Sequence, residues 1–391
     1  MRDCKELLDF MKEKNMDEIL NFVKEKATSI NDKTGIPDYY IGIRDNCFNL
    51  YYLGQSLVKV YPKKNNILFK TGKAFRTDEM RDEQTFKAFC CSFDTIKSKI
   101  EMVSKGSNDQ GKKDYREKRK QQEIVSYINK NSHKWYCVDM EYNQEGTRIG
   151  RFDIIAISRN PDGNNKHRVA LIELKVGKES YSGSPVWPED SKDREQYATQ
   201  LELVFNQEDG LFSPASLPLR YGSGIVSHIA DFLRYLPANE NQPLSYQTML
   251  SEEIPKIIKS QKQLGCPVPK ELVTIEKENL ETNPEVVFLC YTNSDLKEET
   301  ISDLKDQLGK YIFSSVKFGR NVPKYPLERT INNLNVSSFL SKDFAGFLKE
   351  KNPGNSFFTL KQDIKGKSYP FSFAFVDSNE KESLGYLDEL L

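Results

Sequence analysis

"VALIELKVG", residues 169 to 177, is an apolar run broken only by Glu173 and Lys175. Aliphatic residues at both odd and even positions predict a strand buried on both faces, as in the middle of a helix-flanked sheet. Residues i and i+2 of a strand share a face, so Glu173 and Lys175 point one way and Leu174 the other. Burying a charge is costly unless it is paired or bound to a metal, so the two charges call for a reason. The preceding segment "RFDIIAIS", residues 151 to 158, likewise carries one carboxylate, Asp153, in an apolar run. If "NPDGNNK" joins the segments as a hairpin centred near Gly163, Asp153 and Glu173 are equidistant from that centre and lie opposite each other on one face. A slip of one residue separates them. The competing expectation is an exposed edge hairpin whose Glu173 and Lys175 form a weak surface ion pair.

Working outward, a helix is expected over about 114–130, with Gln121, Ile124, Val125 and Ile128 on its buried face. Three β-rich segments follow, "KWYCVDMEY", "GRFDIIAIS" and "RVALIELKV", then a Ser-, Gly- and Pro-rich loop and a helix over about 191–206. "PEVVFLCYT", residues 284 to 292, reads as a second buried strand, followed by the helix "SDLKEETISDLKDQLGKYIF". The predicted order is α-β-β-β-α, an insertion over about 207–284, then β-α. Upstream, two short amphipathic helices occupy about 3–29, an antiparallel meander 39–75, and a further helix 78–104. The polar "KGSNDQGKK", residues 105 to 113, is the expected linker. The chain therefore divides into an α+β region at 1–110, an α/β core at 111–314 and a C-terminal extension at 315–391. The extension holds an amphipathic helix at 339–348 and the aromatic strand segments "SFFTL" and "YPFSFAFV".

Two carboxylates beside a lysine suit one chemistry. Asp153 and Glu173 offer hard oxygen ligands for Mg²⁺, with Mn²⁺ a natural substitute, and the ion acidifies a bound water and neutralises charge on a reacting phosphate. Lys175 can orient that water and pair with developing negative charge. The set would hydrolyse a phosphodiester. "GRFDIIAI" followed by "IELKVG" resembles the PD-(D/E)XK, or restriction-endonuclease-like, nuclease superfamily, with Phe152 standing where the family name has proline. The resemblance covers about 112–206, with "VVFLCYT" as a fourth strand. It implies an α/β fold with an αβββαβ core, Asp153 and Glu173 as metal ligands and Lys175 as the catalytic lysine. Many such nucleases add a glutamate from the first helix; Glu117, one turn before Gln121, is the candidate, whereas Glu123 points away. Some carry a helical glutamine after the lysine strand, for which Gln196 and Gln200 are available. The basic run "KKDYREKRK" places Lys112, Lys113 and Arg116 as phosphate contacts, or as a solvated helix start.

The expected function is thus a Mg²⁺-dependent endonuclease acting on nucleic acid, most naturally DNA, in restriction, defence against phage or repair, with a homodimer as the arrangement for cutting two strands. The alternatives are an RNA-directed nuclease and a catalytically silent interaction module on the same fold. Lys plus Arg (57) equals Asp plus Glu (57), so any nucleic-acid contact relies on local patches. No apolar run reaches the ~18 to 20 residues of a membrane span, and the N-terminus lacks the apolar region of a secretory signal, which predicts a cytoplasmic protein. The seven cysteines lack metal-ligand spacing and read as buried thiols. Gly-Ser-Gly at 222–224 before a helix is a weak phosphate cradle, and Ser223, His228 and Asp231 lack the elbow of a serine hydrolase. His133 and His167 fall in polar turns with nothing linking them. Phe48, Tyr51, Tyr52, Tyr61 and Phe69 of the meander are expected to pack in a core more readily than to stack on bases.

Overall fold

The computed structural model describes residues 2–105, 109–143, 150–176, 232, 235–236, 246–292, 356–364 and 367–377; residues 105, 109–115, 290, 292 and the two C-terminal stretches are described as backbone only. The expected helices at 191–206, 294–313 and 339–348 lie outside these residues.

Helices α1 (Lys5–Glu13) and α2 (Asp17–Thr28) form as expected, burying Leu7, Leu8 and Met11 on the first and Ile19, Val23 and Ala27 on the second. The meander is a five-stranded sheet in chain order: β1 (Tyr39–Arg44), β2 (Cys47–Tyr52), β3 (Gln55–Lys63), β4 (Asn66–Lys70) and β5 (Glu83–Gln84). Leu53 and Gly54, at φ 49° and 75°, make the two-residue turn that closes β2 on β3. Helix α3 (Phe86–Lys105) begins eight residues later than periodicity suggests, because Glu83 and Gln84 pair with Lys70 and Phe69 of β4 instead. Helix α4 (Asp109–Asn131) begins at 109, so residues 109–113 of the expected linker are helical. Lys, Gln and Asp are tolerated in a polar helical turn as readily as in a linker, so composition does not separate the two.

The second sheet has six strands: β6 (Trp135–Asn143), β7 (Arg151–Ser158), β8 (Val169–Val176), β9 (Glu285–Thr292), β10 (Ser356–Ile364) and β11 (Lys367–Asp377), in the spatial order β10-β11-β9-β8-β7-β6. β6, β7 and β8 pair antiparallel, β9 runs parallel to β8, and β11 runs parallel to β9. Two strands of the segment expected as a C-terminal extension, β10 and β11, are therefore part of the same sheet as "VALIELKV". β8 lies between β7 and β9, which is why its apolar residues fill both alternations. On one face Ile124, Val125 and Ile128 of α4 pack over Ile154, Ala156, Ala170, Ile172 and Leu174. On the other, Ile155, Ile157, Leu171 and Phe288 meet a helical stretch that runs through the π-helical turn Met249–Glu253 into α5 (Ile254–Gln263). The protein is a mixed α/β structure, and no helix among the described residues is long and apolar enough to cross a membrane.

One continuous apolar cluster joins this second face to α1, α2, α3 and the meander. Phe48, Tyr52 and Phe69 are buried within it and Tyr51 under α4, as core residues, whereas Tyr61 is half-buried at the sheet surface, its hydroxyl donating to Glu83 Oε1 at 2.5 Å. Polar contacts reinforce the junction. Asp139, fully buried at a bulge in β6, is held by Arg2 and by Arg44, whose Nη1 lies 2.9 Å from its Oδ1. Tyr40 donates from its hydroxyl to the Val138 carbonyl at 3.1 Å, an acceptor that also takes Gln261 Nε2 at 2.9 Å. Because Val138 keeps a donor when Tyr40 loses its hydroxyl, Tyr40→Phe is expected to cost only about 0.5–1 kcal/mol, read as a lower urea midpoint at unchanged slope.

Candidate active site

The strand alternation puts Glu173 and Lys175 side by side, 5% and 8% exposed, with Lys175 Nζ 2.5 Å from Glu173 Oε1. They are not at a solvated edge, which removes the surface-hairpin alternative. The β7–β8 ladder runs from Ile157↔Val169 to Ile154↔Ile172, every pair equidistant from Gly163. The next step in that register is Asp153 opposite Glu173. The ladder ends there, and the Asp153 carboxylate reaches across instead: its Oδ2 accepts the Leu174 N–H at 2.6 Å. From above, Gln121 of α4 donates from Nε2 to Asp153 Oδ1 at 2.7 Å.

Burial, and next the neighbouring Glu173, drive the Asp153 carboxyl well above the usual carboxylate range; Glu117 adds to the rise, while Lys175 and the Leu174 N–H oppose it. Burial alone would lower the Lys175 ammonium, but Glu173, Asp153 and Glu117 outweigh it and hold the group above its usual value. The four residues singled out in the sequence, Asp153, Glu173, Lys175 and Glu117, thus act on one another electrostatically.

The hard-oxygen donor set fits a divalent cation that keeps most of its water, such as Mg²⁺ held by one or two carboxylates. It is not a closed cage: among the described residues, no three His, Cys, Asp or Glu side chains are arranged to hold a metal ion. The raised Asp153 carboxyl and Gln121 Oε1, a buried acceptor without a partner among the described residues, are what a hydrated cation would satisfy.

Of the two helical candidates, Glu117 acts electrostatically on Asp153. Glu123 is occupied by Arg119 at 2.9 Å and Lys120 at 3.3 Å, away from Asp153. Within the basic run, Arg116 is exposed on α4, whereas Lys118 pairs with Glu141 at 3.4 Å. Lys112 and Lys113 fall in the backbone-only part of α4, and Gln196, Gln200, Gly222–Gly224, His228 and Asp231 lie outside the described residues. His167, expected in a polar turn, is buried, with Nδ1 2.7 Å from the Ser158 carbonyl, a structural contact. The cysteines divide: Cys4, Cys47 and Cys137 are buried, but Cys90 and Cys91 are exposed on α3.

Gln121 was legible only as part of a buried helix face. The signal that would have singled it out is its polarity: a glutamine among Ile124, Val125 and Ile128 must find a partner, and that partner is Asp153. Comparison of the chain with protein-family models, with curated proteins and with solved structures finds no match.

Proposed function

We propose that this chain is a Mg²⁺-dependent nuclease that hydrolyses phosphodiester bonds of nucleic acid, DNA foremost, on a restriction-endonuclease-like core. The observation that carries this is the meeting of Asp153 with the Glu173–Lys175 pair at the point where the β7–β8 ladder ends. Two carboxylates set against each other, with an ammonium beside them, suit a bound cation and a phosphate.

Asp153 and Glu173 would hold Mg²⁺, and the ion would supply an acidified water and charge neutralisation at the scissile phosphate. Glu173 Oε1 fixes Lys175 Nζ in place. The remaining N–H groups of that ammonium are then available to a phosphate oxygen as negative charge develops on it. Leu174 N–H and Gln121 Nε2 hold the two oxygens of Asp153 and so fix the plane of its carboxylate.

The test uses supercoiled plasmid and a single-stranded RNA, each with Mg²⁺, Mn²⁺ or EDTA. Cleavage of DNA with either metal, none in EDTA and none by Asp153→Ala is the expected result. RNA cleavage alone would change the substrate, and no metal-dependent cleavage of either polymer would end the proposal in favour of a binding module.

A further inference from the structure

Gln121 and its neighbour Gln122 are both almost fully buried, 1% and 4% exposed, and they face different parts of the protein. Consecutive helix residues project about 100° apart, so one helix turn can serve two surfaces. Gln121 reaches Asp153, and its Oε1 is enclosed without a hydrogen-bond partner. Gln122 turns to the N-terminal sheet: its Oε1 accepts the Gly54 N–H at 2.6 Å and its Nε2 donates to the Asp38 carbonyl at 2.7 Å. Gly54, at φ +75°, brings the β2–β3 turn directly onto α4. A Cβ there would lie 2.2 Å from the Lys118 carbonyl carbon and oxygen and 2.4 Å from Arg119 N. Those are backbone atoms of the helical turn that precedes Gln121, so a side chain at 54 is accommodated only by moving the helix.

We propose that Gln121 is a positioning residue of the site, fixing Asp153 through Nε2 and offering Oε1 to a water held there, and that its placement is set from the N-terminal sheet through Gln122 and Gly54. This rests on the nuclease function proposed above. It assigns the first 105 residues a role in the chemistry: they hold α4 at the distance from β7 at which Gln121 meets Asp153.

The experiment measures Mn²⁺ binding to the full chain by the loss of the free-ion paramagnetic resonance signal, with circular dichroism as a check on folding. Wild type should bind and Asp153→Ala should not. Gln121→Leu, which keeps the bulk but neither hydrogen bond, should weaken binding by about 10- to 100-fold, the usual effect of removing a partner that orients a ligand. It should also lower kcat for cleavage with little change in KM. Gly54→Ala, which alters no side chain of the site, should weaken Mn²⁺ binding in the same direction; Gln122→Leu cuts the same link should Gly54→Ala fail to fold. Gly35→Ala is the control, with the same left-handed backbone at φ +71° but nothing within 4 Å of the added carbon, and should bind as wild type. Wild-type affinity in folded Gln121→Leu, or in whichever of Gly54→Ala and Gln122→Leu folds, overturns this proposal while leaving the nuclease intact. Equal Mn²⁺ binding by wild type and Asp153→Ala overturns both.

Discussion

Asp153→Asn is expected to abolish cleavage and, in the absence of divalent metal, to make the protein more stable than wild type. Burial and the adjacent Glu173 raise the Asp153 carboxyl well above its ordinary value. Between the unfolded pKa, about 3.9, and that raised folded value, the native protein binds a proton that the unfolded chain has released. Stability therefore falls as pH rises through this window, and the loss is complete above the folded value. Asparagine removes the titration and satisfies the same neighbours. Its Oδ1 can accept the Leu174 N–H that now goes to Asp153 Oδ2, and its amide can donate to Gln121 Oε1 after a flip of the glutamine amide, which leaves Gln121 one polar atom without a partner, as in the wild type. The expected gain at neutral pH in EDTA is about 1–2 kcal/mol, a rise of a few degrees in Tm, and it should vanish near pH 4. Cleavage should drop by about 10³-fold or more, since a ligand to the ion that neutralises the reacting phosphate is lost. Adding Mn²⁺ should reverse the order of the melting temperatures, because ligand at about 100 times Kd stabilises the wild type by about 2.7 kcal/mol and the variant far less. A wild-type melting temperature indifferent to Mn²⁺, or an asparagine variant less stable than wild type in EDTA, would refute this account of the charge.

The central strand and its register were readable because they follow from local rules. Apolar residues on both alternations of "VALIELKV" require cover on both faces, and the placement of β8 between β7 and β9 supplies it. The symmetry of Asp153 and Glu173 about Gly163 requires only that a hairpin form, and the observed pairs keep that centre. Long-range pairing was not readable. "YPFSFAFV" is recognisably a strand, but nothing in its own pattern says that Phe371 to Asp377 will lie parallel to Val286 to Thr292, across a sequence separation of some eighty residues. Turn 53–54 shows the same limit: "LGQ" marks a hairpin, yet that its glycine is needed for contact with Lys118 and Arg119 depends on how two separately folded elements meet. Glu83 and Gln84 illustrate tertiary override, since a helical pattern beginning at 78 yields to pairing with β4. Gln121 belongs to the same class, its role fixed by a partner 32 residues away.

Lys175→Met should have the opposite effect on stability and a comparable one on chemistry. Methionine matches the length and apolar stem of lysine, so packing within β8 is preserved while the ammonium disappears. That ammonium is held above its usual pKa by Glu173, Asp153 and Glu117. Its contribution to folding is therefore fully present below the unfolded value, about 10.4, and is lost only as pH rises through the folded one. Across neutral pH the variant leaves buried carboxylates without the cation that opposed them, a change that costs about 3–5 kcal/mol when one partner of a buried pair is removed. In EDTA the expected result is a fall in Tm of roughly 5 °C. Acidification should narrow the difference, because protonating the carboxyl groups removes the charge left uncompensated. Mn²⁺ should narrow it at neutral pH for a different reason: a divalent ion between Asp153 and Glu173 takes over part of the work of the lost ammonium. Cleavage should nevertheless stay about 10²- to 10³-fold below wild type even with saturating metal, since the ammonium that meets the charge on the phosphate is gone. A Lys175→Met protein as stable as wild type in EDTA would mean that the carboxylates are not held together as described, and with that the grounds for a metal at this site would go.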